Sequence, residues 1–465
     1  MLKSLPPELS DAQSIGVSLF SGEAENKRFD QVVQDAWHNE LKPLYDFTDD
    51  LADLENQPMP FLPKEMVEKN ISNATTFDLG RGCPFTCSFC CIINVQGRKS
   101  RSRSVADLEA TVRQIVANGH EYLFITDDNL ARNKDWEAHF DRLIELREQG
   151  ISLSLIIQVD TLCHKIPRFI EKAVAAGVSQ VFVGLENINP DNLIAMKKRQ
   201  NKITEYRKML LEWKKYPVVI WGAYILGLPG DTRESILRDI DIIKAELPID
   251  LFNPSILTPL PGSEDHLNMV NQGIWMDPDL NKYDLAHCVI HHPNIKNEDF
   301  DQLYKDAWDR YYTHEHMETI LKRMFALGSN KKMITVERLT AFGVITRVNN
   351  IRSYDMGLIR RKDRNSRREG YETEPFFHFH FNHIYSSVKN LSIIIFEYYK
   401  LYKVMKRIHR DPQRLSYTDT AISWPDDNEL EVLQLFTDTK GGKAAVDKHT
   451  HLKEKRAREA ATGVD

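Results

Sequence analysis

The chain has 465 residues, of which 42% are hydrophobic and 28% are charged, and its formal net charge is -6. This length accommodates two to three domains, and the small net charge argues against a bulk polyanion as the partner. The amino terminus lacks the apolar stretch of a signal peptide, and no apolar run is long enough to span a membrane. We therefore expect a cytoplasmic protein.

Residues 1–70 are predicted to form a short segment followed by a linker. A strand end at Ser18–Glu25 leads into an amphipathic helix over Asn26–His38. Three prolines between Leu54 and Lys64 indicate the linker. This stretch is too short to bury a good core of its own.

Between Thr76 and Leu257 short apolar runs alternate with helical patterns. The predicted strands cover Phe77–Leu79, Tyr122–Thr126, Leu153–Val159, Gln180–Leu185, Val218–Leu226 and Asp250–Leu257. The predicted helices cover Val105–Ala117, Lys134–Glu148, Pro167–Gly177, Ile203–Lys215 and Thr232–Leu247. This alternation is typical of βα units with a parallel sheet. Six units are too few for a closed eight-stranded barrel. We expect an α/β fold in which residues 71–270 form a partial (βα)6 TIM-like barrel.

The regular alternation ends near residue 270, and we expect a mainly helical C-terminal extension over residues 271–415. The helix predicted at Ile384–Arg410 carries an apolar stripe, which favours a helix packed on the barrel. A helix lying on a membrane surface is the alternative. The stripe consists of Ile384, Val388, Leu391, Ile395, Tyr398, Tyr402 and Met405. Residues 416–465 are expected to be mostly disordered, because their last part is polar and lacks aromatic residues.

The segment Ile351–Arg368 is strongly basic. Few aromatic residues accompany its positive charges, and the whole chain is net acidic. Binding of nucleic acid normally requires a basic surface, often with aromatic residues for base stacking. We therefore do not expect a nucleic-acid partner.

Four of the six cysteines lie between Cys83 and Cys91. In a reducing compartment such clustering indicates metal binding or catalysis and not a disulfide framework. Cys83, Cys87 and Cys90 have the spacing C-x-x-x-C-x-x-C, and three close thiolates can bind three irons of a 4Fe–4S cluster. The fourth iron is then free for another ligand. Cys91 is adjacent to Cys90, so we expect its side chain to point elsewhere.

A zinc site is the alternative to a cluster at these cysteines. Structural zinc is bound by four nitrogen or sulfur ligands, often in two close-spaced pairs. The sequence has no second pair of this kind. The three cysteines therefore favour an iron–sulfur cluster.

The stretch Gly82–Cys90 resembles the cluster motif of the radical SAM superfamily, and the resemblance extends over about Thr76–His266. It implies that Cys83, Cys87 and Cys90 ligate a 4Fe–4S cluster whose fourth iron is chelated by S-adenosylmethionine (SAM). One-electron reduction would then cleave SAM to methionine and a 5′-deoxyadenosyl radical.

The same resemblance implies SAM contacts at the ends of other strands. Asp127 and Asp128 stand where the superfamily has a Gly-Gly-Glu-like motif that binds the SAM amino group, although this sequence departs from that pattern. Glu186, followed by Asn187, resembles the residue that contacts the ribose hydroxyls.

Gly222 and Gly227 resemble a fifth-strand motif of the superfamily whose backbone packs on adenine. Glycine permits such a close approach of the backbone. Lys197–Arg199, which follow the fourth strand, are predicted to be a solvated charged turn.

The subfamily that the sequence resembles contains a cobalamin-binding domain. Gly22–Glu25 and the helix after it look like the end of such a domain, and Pro58–Phe61 looks like its linker. Only about twenty residues precede Gly22, so most of the domain is missing from this chain. We therefore do not expect cobalamin to bind this chain alone.

These observations predict a radical SAM enzyme that uses a 4Fe–4S cluster and SAM to modify a small-molecule or lipid-like substrate. We expect it to receive electrons from a reductant such as flavodoxin or ferredoxin. The alternatives are a cobalamin-dependent methyltransferase, an RNA-modifying radical SAM enzyme, and a non-catalytic metal-stabilised binding module. Peripheral contact with a membrane also stays open.

Overall fold

The computed structural model describes residues 7–57, 74–351, 357–360, 362–367, 370–424, 433, 437 and 439–462. The linker predicted around Pro58–Phe61 lies outside these residues. Among the helices that the structure describes, none combines the length and the apolar character needed to cross a membrane.

The first described unit is a small β-α-β arrangement that follows helix α1 (Pro7–Ser14). Strand β1 (Leu19–Ser21) pairs in parallel with β2 (Leu44–Asp46), and helix α2 (Arg28–Trp37) connects them. The apolar side of α2 faces outward, since the side chain of Trp37 is 84% exposed. Among the described residues, none of this unit belongs to the hydrophobic core of the central sheet.

The central sheet contains six parallel strands in the order β10-β9-β8-β7-β6-β3. In chain order, the strands after β2 are β3 (Ala74–Phe77), β4 (Gly80–Arg81), β5 (Arg101–Ser102), β6 (Tyr122–Ile125), β7 (Ser154–Val159), β8 (Val178–Glu186), β9 (Val219–Leu226) and β10 (Leu251–Ile256). Strands β3 and β10 form the two edges, so the sheet is an open, partial barrel, and the predicted fold class is confirmed. Strands β4 and β5 pair separately and antiparallel.

Helices cover this sheet between successive strands. They are α3 (Ile92–Val95), α4 (Val105–Ala117), α5 (Trp136–Glu148), α6 (Phe169–Ala176), α7 (Pro190–Ala195), α8 (Ile203–Lys214) and α9 (Arg233–Glu246). The bounds of α4, α5, α6, α8 and α9 agree with the predicted helices to within two residues, whereas α3 and α7 were not predicted. Helix α6 begins at Phe169 and not at Pro167, because Arg168 has a φ of 60°, which a right-handed helix does not accommodate.

The C-terminal region is helical, as predicted. It contains α10 (Glu264–Asn271), α11 (Asn297–Tyr311), α12 (His314–Ala326), α13 (Lys332–Thr340), a π-helical turn (Ala341–Ile345), α14 (Thr346–Asn349), α15 (Phe376–Arg410) and α16 (Lys440–Thr462). Helices α11 to α13 and the end of α15 contribute side chains to the same hydrophobic core as the sheet.

Two expectations for this region are wrong in part. The stripe on α15 was expected to face the core, but only its end does so: Met405 is buried, whereas Ile384, Val388 and Ile395 are each about 60% exposed. The tail was expected to be mostly disordered, but α16 is helical and Val446 is buried in the core. Packing against the barrel supplies the stability that the polar sequence of α16 does not provide by itself.

Candidate functional site

The cysteine loop, defined as residues 82–91, lies between β4 and β5, just after the carboxyl end of β3. Gly82 opens it with a φ of 94°, and a Cβ at this position would lie 2.3 Å from the carbonyl oxygen of Lys99. The N–H of Cys83 donates to the carbonyl oxygen of Gly97 at 3.2 Å. A glycine is therefore required where the chain enters the loop.

The three motif cysteines carry free thiols. Cys87 is buried, whereas Cys83 and Cys90 are half-buried. Burial raises the pKa of Cys83, and it raises the pKa of Cys90 to about 12. Without metal these two thiols are protonated at neutral pH, so binding of iron would release their protons.

Cys91, which the sequence predicts to be outside this set, is also a free and half-buried thiol. It precedes α3, and its carbonyl oxygen accepts a hydrogen bond from the N–H of Asn94 at 3.0 Å. Its Cβ lies 3.6 Å from the position that a Cβ on Gly262 would occupy. Cys91 therefore faces the loop that follows β10.

That loop covers the cysteine loop on one side. The Asn94 side-chain amide donates to the carbonyl oxygen of Gly262 at 2.9 Å. The N–H of Asp265 donates to the carbonyl oxygen of Ser88 at 3.0 Å. Residues 262–265, where this loop leads into α10, therefore lie against the cysteine loop.

A buried ion pair joins Lys198 to Glu186 beside the cysteine loop. The Lys198 ammonium also lies 5.6 Å from the centre of the Phe89 ring. Burial by itself would lower the pKa of Lys198, but the charges of Glu186 and of the nearby cysteines raise it above its ordinary value. The prediction of a solvated turn is wrong for Lys198, because a carboxylate at the end of β8 compensates its charge inside the protein.

The backbone at the end of β8 is irregular, and this irregularity accommodates the ion pair. Glu186 has a φ of 63°, and the pairing register of β8 with β9 shifts between Gly184 and Glu186. A Cβ on Gly184 would lie 2.5 Å from Glu186 Oε1 and 3.0 Å from Lys198 Nζ. The glycine leaves the space that the ion pair fills.

Asp127 and Asp128 end β6 and have different surroundings. Asp127 is buried and accepts hydrogen bonds from the N–H groups of Leu79 and Gly80 at 2.6 and 3.0 Å, and from Asn133 Nδ2 at 2.9 Å. Burial raises its pKa to about 7 despite these donors. Asp127 thus fixes the chain that leads into the cysteine loop.

Asp128 is half-buried. Burial raises its pKa to about 6, although the charge of Arg81 opposes this shift. The electrostatic influence of Asp128 reaches both Cys83 and Cys91. Asp128 therefore lies near the cysteine loop.

The family model of the radical SAM superfamily matches residues 78–243, which contain the cysteine loop and four strands of the central sheet, β6 to β9. The chain therefore carries a radical SAM domain over residues 78–243. It is an enzyme, so the alternative of a non-catalytic binding module is wrong.

Similar proteins include several methyltransferases. Bacteriochlorophyllide d C-8(2)-methyltransferase of Chlorobaculum tepidum is 27% identical over 338 residues, which cover 69% of this chain and 72% of that protein. Hopanoid C-2 methylase of Rhodopseudomonas palustris is 24% identical over 305 residues, which cover 63% of this chain and 55% of that protein. A solved structure of the cobalamin-dependent S-adenosylmethionine radical enzyme OxsB aligns with a TM-score of 0.44 and 12% identity, covering 93% of this chain and 70% of that chain.

The donor chemistry of the cysteine loop fits the 4Fe–4S cluster of a radical SAM enzyme. Within the described ranges, no three His, Cys, Asp or Glu side chains are arranged to hold a single metal ion. In a 4Fe–4S cluster each cysteine binds a different iron, so the three sulfurs do not converge on one atom. The free thiols of Cys83, Cys87 and Cys90 would provide this set.

Asn187, a predicted SAM contact, is fully buried next to Glu186. Its Oδ1 accepts a hydrogen bond from the N–H of Asn189 at 2.7 Å. Its Nδ2 is buried and has no hydrogen-bond partner among the residues that the structure describes. Because a buried donor without a partner is costly, a ligand oxygen at Asn187 would be stabilising.

The two glycines predicted to contact adenine lie against the chain's own side chains. A Cβ on Gly222 would lie 2.9 Å from Ile249 Cδ1 and 3.2 Å from Leu185 Cδ1. Gly227 has a φ of 81°, and a Cβ there would lie 2.8 Å from the ring of Phe300. Both glycines are thus required for close packing, and their contact with SAM stays a prediction.

Gln200 was missed by the sequence reasoning. Its Nε2 lies 3.4 Å from Cys87 Sγ and donates to it. The two residues are 113 positions apart in the chain, and no motif connects them. Only the packing of the segment after α7 on the cysteine loop brings them together.

Proposed function

We propose that this chain cleaves SAM reductively at a 4Fe–4S cluster and uses the resulting radical to modify a small-molecule or lipid-like substrate. The observation that carries the proposal is the loop after β3 with the free thiols of Cys83, Cys87 and Cys90, at the edge of a parallel sheet where ligands bind in such folds. Cys83, Cys87 and Cys90 would hold three irons. When bound, the cluster and SAM supply one-electron cleavage to methionine and a 5′-deoxyadenosyl radical.

The surrounding residues have distinct proposed roles. Asp128, Glu186 and Asn187 offer two carboxylates and a free amide donor for the polar groups of SAM. Lys198 pairs with the Glu186 carboxylate and orients it. The loop 259–266 covers the cysteines and limits access of water to the cluster.

The test is anaerobic reconstitution of the full chain with iron and sulfide, followed by dithionite and SAM. We expect about four irons per chain and formation of 5′-deoxyadenosine. Cys87→Ala should lose both, whereas Cys91→Ala, the matched control, should retain both. Cleavage of SAM by Cys87→Ala at the rate of the unmodified chain would contradict the proposal.

Methyl transfer is the second candidate, and it is favoured by the names of the two curated relatives, a methyltransferase and a methylase. The assay uses SAM labelled with deuterium in its methyl group. Methyl transfer predicts S-adenosylhomocysteine and a labelled product. Production of 5′-deoxyadenosine without S-adenosylhomocysteine would support the first candidate and contradict methyl transfer.

Cobalamin enters this second candidate only as a group supplied with additional protein. Residues 7–57 provide the strands β1 and β2, and the outward apolar side of α2 lies uncovered in the part of the chain described. We assign no residue of this unit to cobalamin. A gain in S-adenosylhomocysteine on addition of cobalamin would support its use.

The proposal requires an external electron donor, for which flavodoxin or ferredoxin is the expected type. It places the chain in the cytoplasm, where free thiols and a reduced cluster persist. An RNA substrate is not part of the proposal. The test is incubation of the reconstituted chain with labelled SAM and total RNA. Label in the RNA would contradict the exclusion of an RNA substrate.

A further inference from the structure

Helix α15 has a second apolar face that the core does not use. Its inner face carries the buried side chains Phe379, Ile394, Leu401, Met405 and Ile408. The opposite side carries apolar and aromatic residues that are 52–86% exposed. We call this side the aromatic face, and its members are Phe377, Phe381, Ile384, Tyr385, Val388, Ile395, Phe396 and Tyr399.

The aromatic face is a continuous stripe. Phe377, Phe381, Ile384 and Val388 are separated by four, three and four residues, and Ile395 follows after one further heptad. Residues at these spacings lie one above the other on a helix. From Phe377 to Tyr399 the stripe extends over about 33 Å. Exposed apolar surfaces of this kind usually mark a site of interaction.

The charges of α15 indicate what covers the stripe. The helix contains six Lys or Arg residues and one carboxylate, that of Glu397, although the whole chain has a net charge of -6. The carboxylate of Glu397 is paired with Lys400 and His314. A second copy of α15 would bring the same positive charge, whereas an anionic surface would compensate it.

Three lysines are arranged along the aromatic residues. The ammonium groups of Lys400, Lys403 and Lys406 lie 4.4, 4.5 and 4.9 Å from the centres of the Phe396, Tyr399 and Tyr402 rings, respectively. Each is largely exposed at its charged end. A lysine whose stem follows an apolar ring while its ammonium stays in water is suited to the boundary between acyl chains and phosphate groups.

We propose that the aromatic face of α15 binds the surface of an anionic phospholipid bilayer, with the helix lying in the plane of the interface. The phenylalanines, Ile384, Val388 and Ile395 would enter the acyl boundary. Tyr385 and Tyr399 would lie at the level of the headgroups, where amphipathic rings are favoured. The lysines would bind phosphate groups.

The inference does not depend on the proposed catalytic activity. Binding to lipid can be measured without SAM, iron or turnover. The full chain is mixed with vesicles of phosphatidylcholine, or of phosphatidylcholine with phosphatidylglycerol, and the bound fraction is recovered by flotation. We expect binding to the vesicles with phosphatidylglycerol, and a decrease as the salt concentration rises.

The first variant is Phe377→Ser/Phe381→Ser/Val388→Ser, which removes three members of the aromatic face. We expect its affinity for the anionic vesicles to fall by about tenfold or more, because the buried apolar area is lost. His378→Ser/Asn382→Ser is the matched control, since these residues lie on the same helix outside the stripe and hydrogen-bond to each other. The control should bind like the unmodified chain.

The second variant, Lys389→Glu/Lys403→Glu/Lys406→Glu, separates the contribution of charge. We expect about a tenfold or greater loss on vesicles with phosphatidylglycerol and little change on phosphatidylcholine alone. Far-ultraviolet circular dichroism verifies that each variant keeps its helices. All substituted residues are exposed, so the fold should persist.

Three outcomes would overturn the proposal. The unmodified chain could fail to float with anionic vesicles, or the serine variant could bind them as well as its control. The third is self-association in sedimentation velocity that only the serine variant abolishes, with no vesicle binding. That result would mean that a second copy of the chain covers the aromatic face.

Discussion

Lys198 and Glu186 form an ion pair inside the protein, with both residues less than 10% exposed, beside the loop that carries Cys83, Cys87 and Cys90. The pair connects the end of β8 to the segment after α7. Because charges are costly to bury alone, each residue requires the other.

The first prediction concerns this pair. Lys198→Met leaves the Glu186 carboxylate buried without its partner and should lower the free energy of unfolding by about 3–5 kcal/mol. The double variant Glu186→Gln/Lys198→Met should lose less than the sum of the two single variants, because no unpaired charge remains. Urea unfolding of the unmodified chain, of Lys198→Met, of Glu186→Gln and of the double variant gives the coupling free energy between the two residues.

Lys197→Met is the control for that series. Lys197 pairs with Glu264 at the surface, so its loss should cost less than about 1 kcal/mol. If Lys198→Met were no more destabilising than Lys197→Met, the buried pair would not exist in solution.

The second prediction concerns Gly184. In Gly184→Ala the new methyl group would overlap with Glu186 Oε1, so we expect a loss of about 1–3 kcal/mol in thermal or urea unfolding. Gly357→Ala is the control, since the nearest atom to a Cβ there is the carbonyl oxygen of Ile359 at 3.9 Å. Equal stability of the two variants would show that the end of β8 rearranges freely.

The third prediction concerns pH. Burial raises the pKa of Asp127 to about 7 in the folded protein, well above the value of the unfolded chain, which is about 3.9. Between these values the folded state holds a proton that the unfolded state has lost. This contribution to stability is therefore present below about pH 4 and is lost as the pH rises through about 7.

Asp127→Asn should remove this contribution, so its free energy of unfolding should change less between about pH 5 and about pH 8 than that of the unmodified chain. Asp135→Asn, at a half-exposed position, is the control and should keep the original slope. An unchanged slope in Asp127→Asn would mean that the donors Leu79, Gly80 and Asn133 keep the carboxylate ionised throughout.

The fourth prediction concerns the attachment of the N-terminal unit. Glu23 is buried and binds Arg81 and Arg101, which lie on the strands that flank the cysteine loop. Burial opposes ionisation of Glu23, but its hydrogen bonds with Arg101, the Ala52 N–H and Arg81 hold its pKa below the ordinary value. Glu23→Gln should weaken this attachment by about 3 kcal/mol.

In Glu23→Gln we expect faster hydrogen exchange and faster proteolysis within residues 7–57 than in the unmodified chain. Asp50→Asn is the control in the same unit, because the Asp50 side chain is 79% exposed and its pair with Arg28 should contribute less than about 1 kcal/mol. Equal protection in the two variants would contradict the role of Glu23.

The sequence by itself determined the order of strands and helices, and it predicted the cysteine ligand set. The apolar runs that become β6 to β10 predict buried strands from local sequence alone. The spacing of Cys83, Cys87 and Cys90 is also a local pattern, so neither prediction requires knowledge of distant contacts. The superfamily resemblance also rests on consecutive residues around Gly82.

Only the tertiary structure decided how distant groups meet. The pairing of Lys198 with Glu186 and the contact of Gln200 with Cys87 depend on how the segment after α7 folds back, which no local pattern encodes. The stripe on α15 shows the same limit: periodicity reports that a helix has an apolar side, but which side the core takes depends on what packs against it. Phe379 and Met405 are buried, whereas Phe377 and Val388 are exposed, because α12, α13 and α14 cover only one side of the helix.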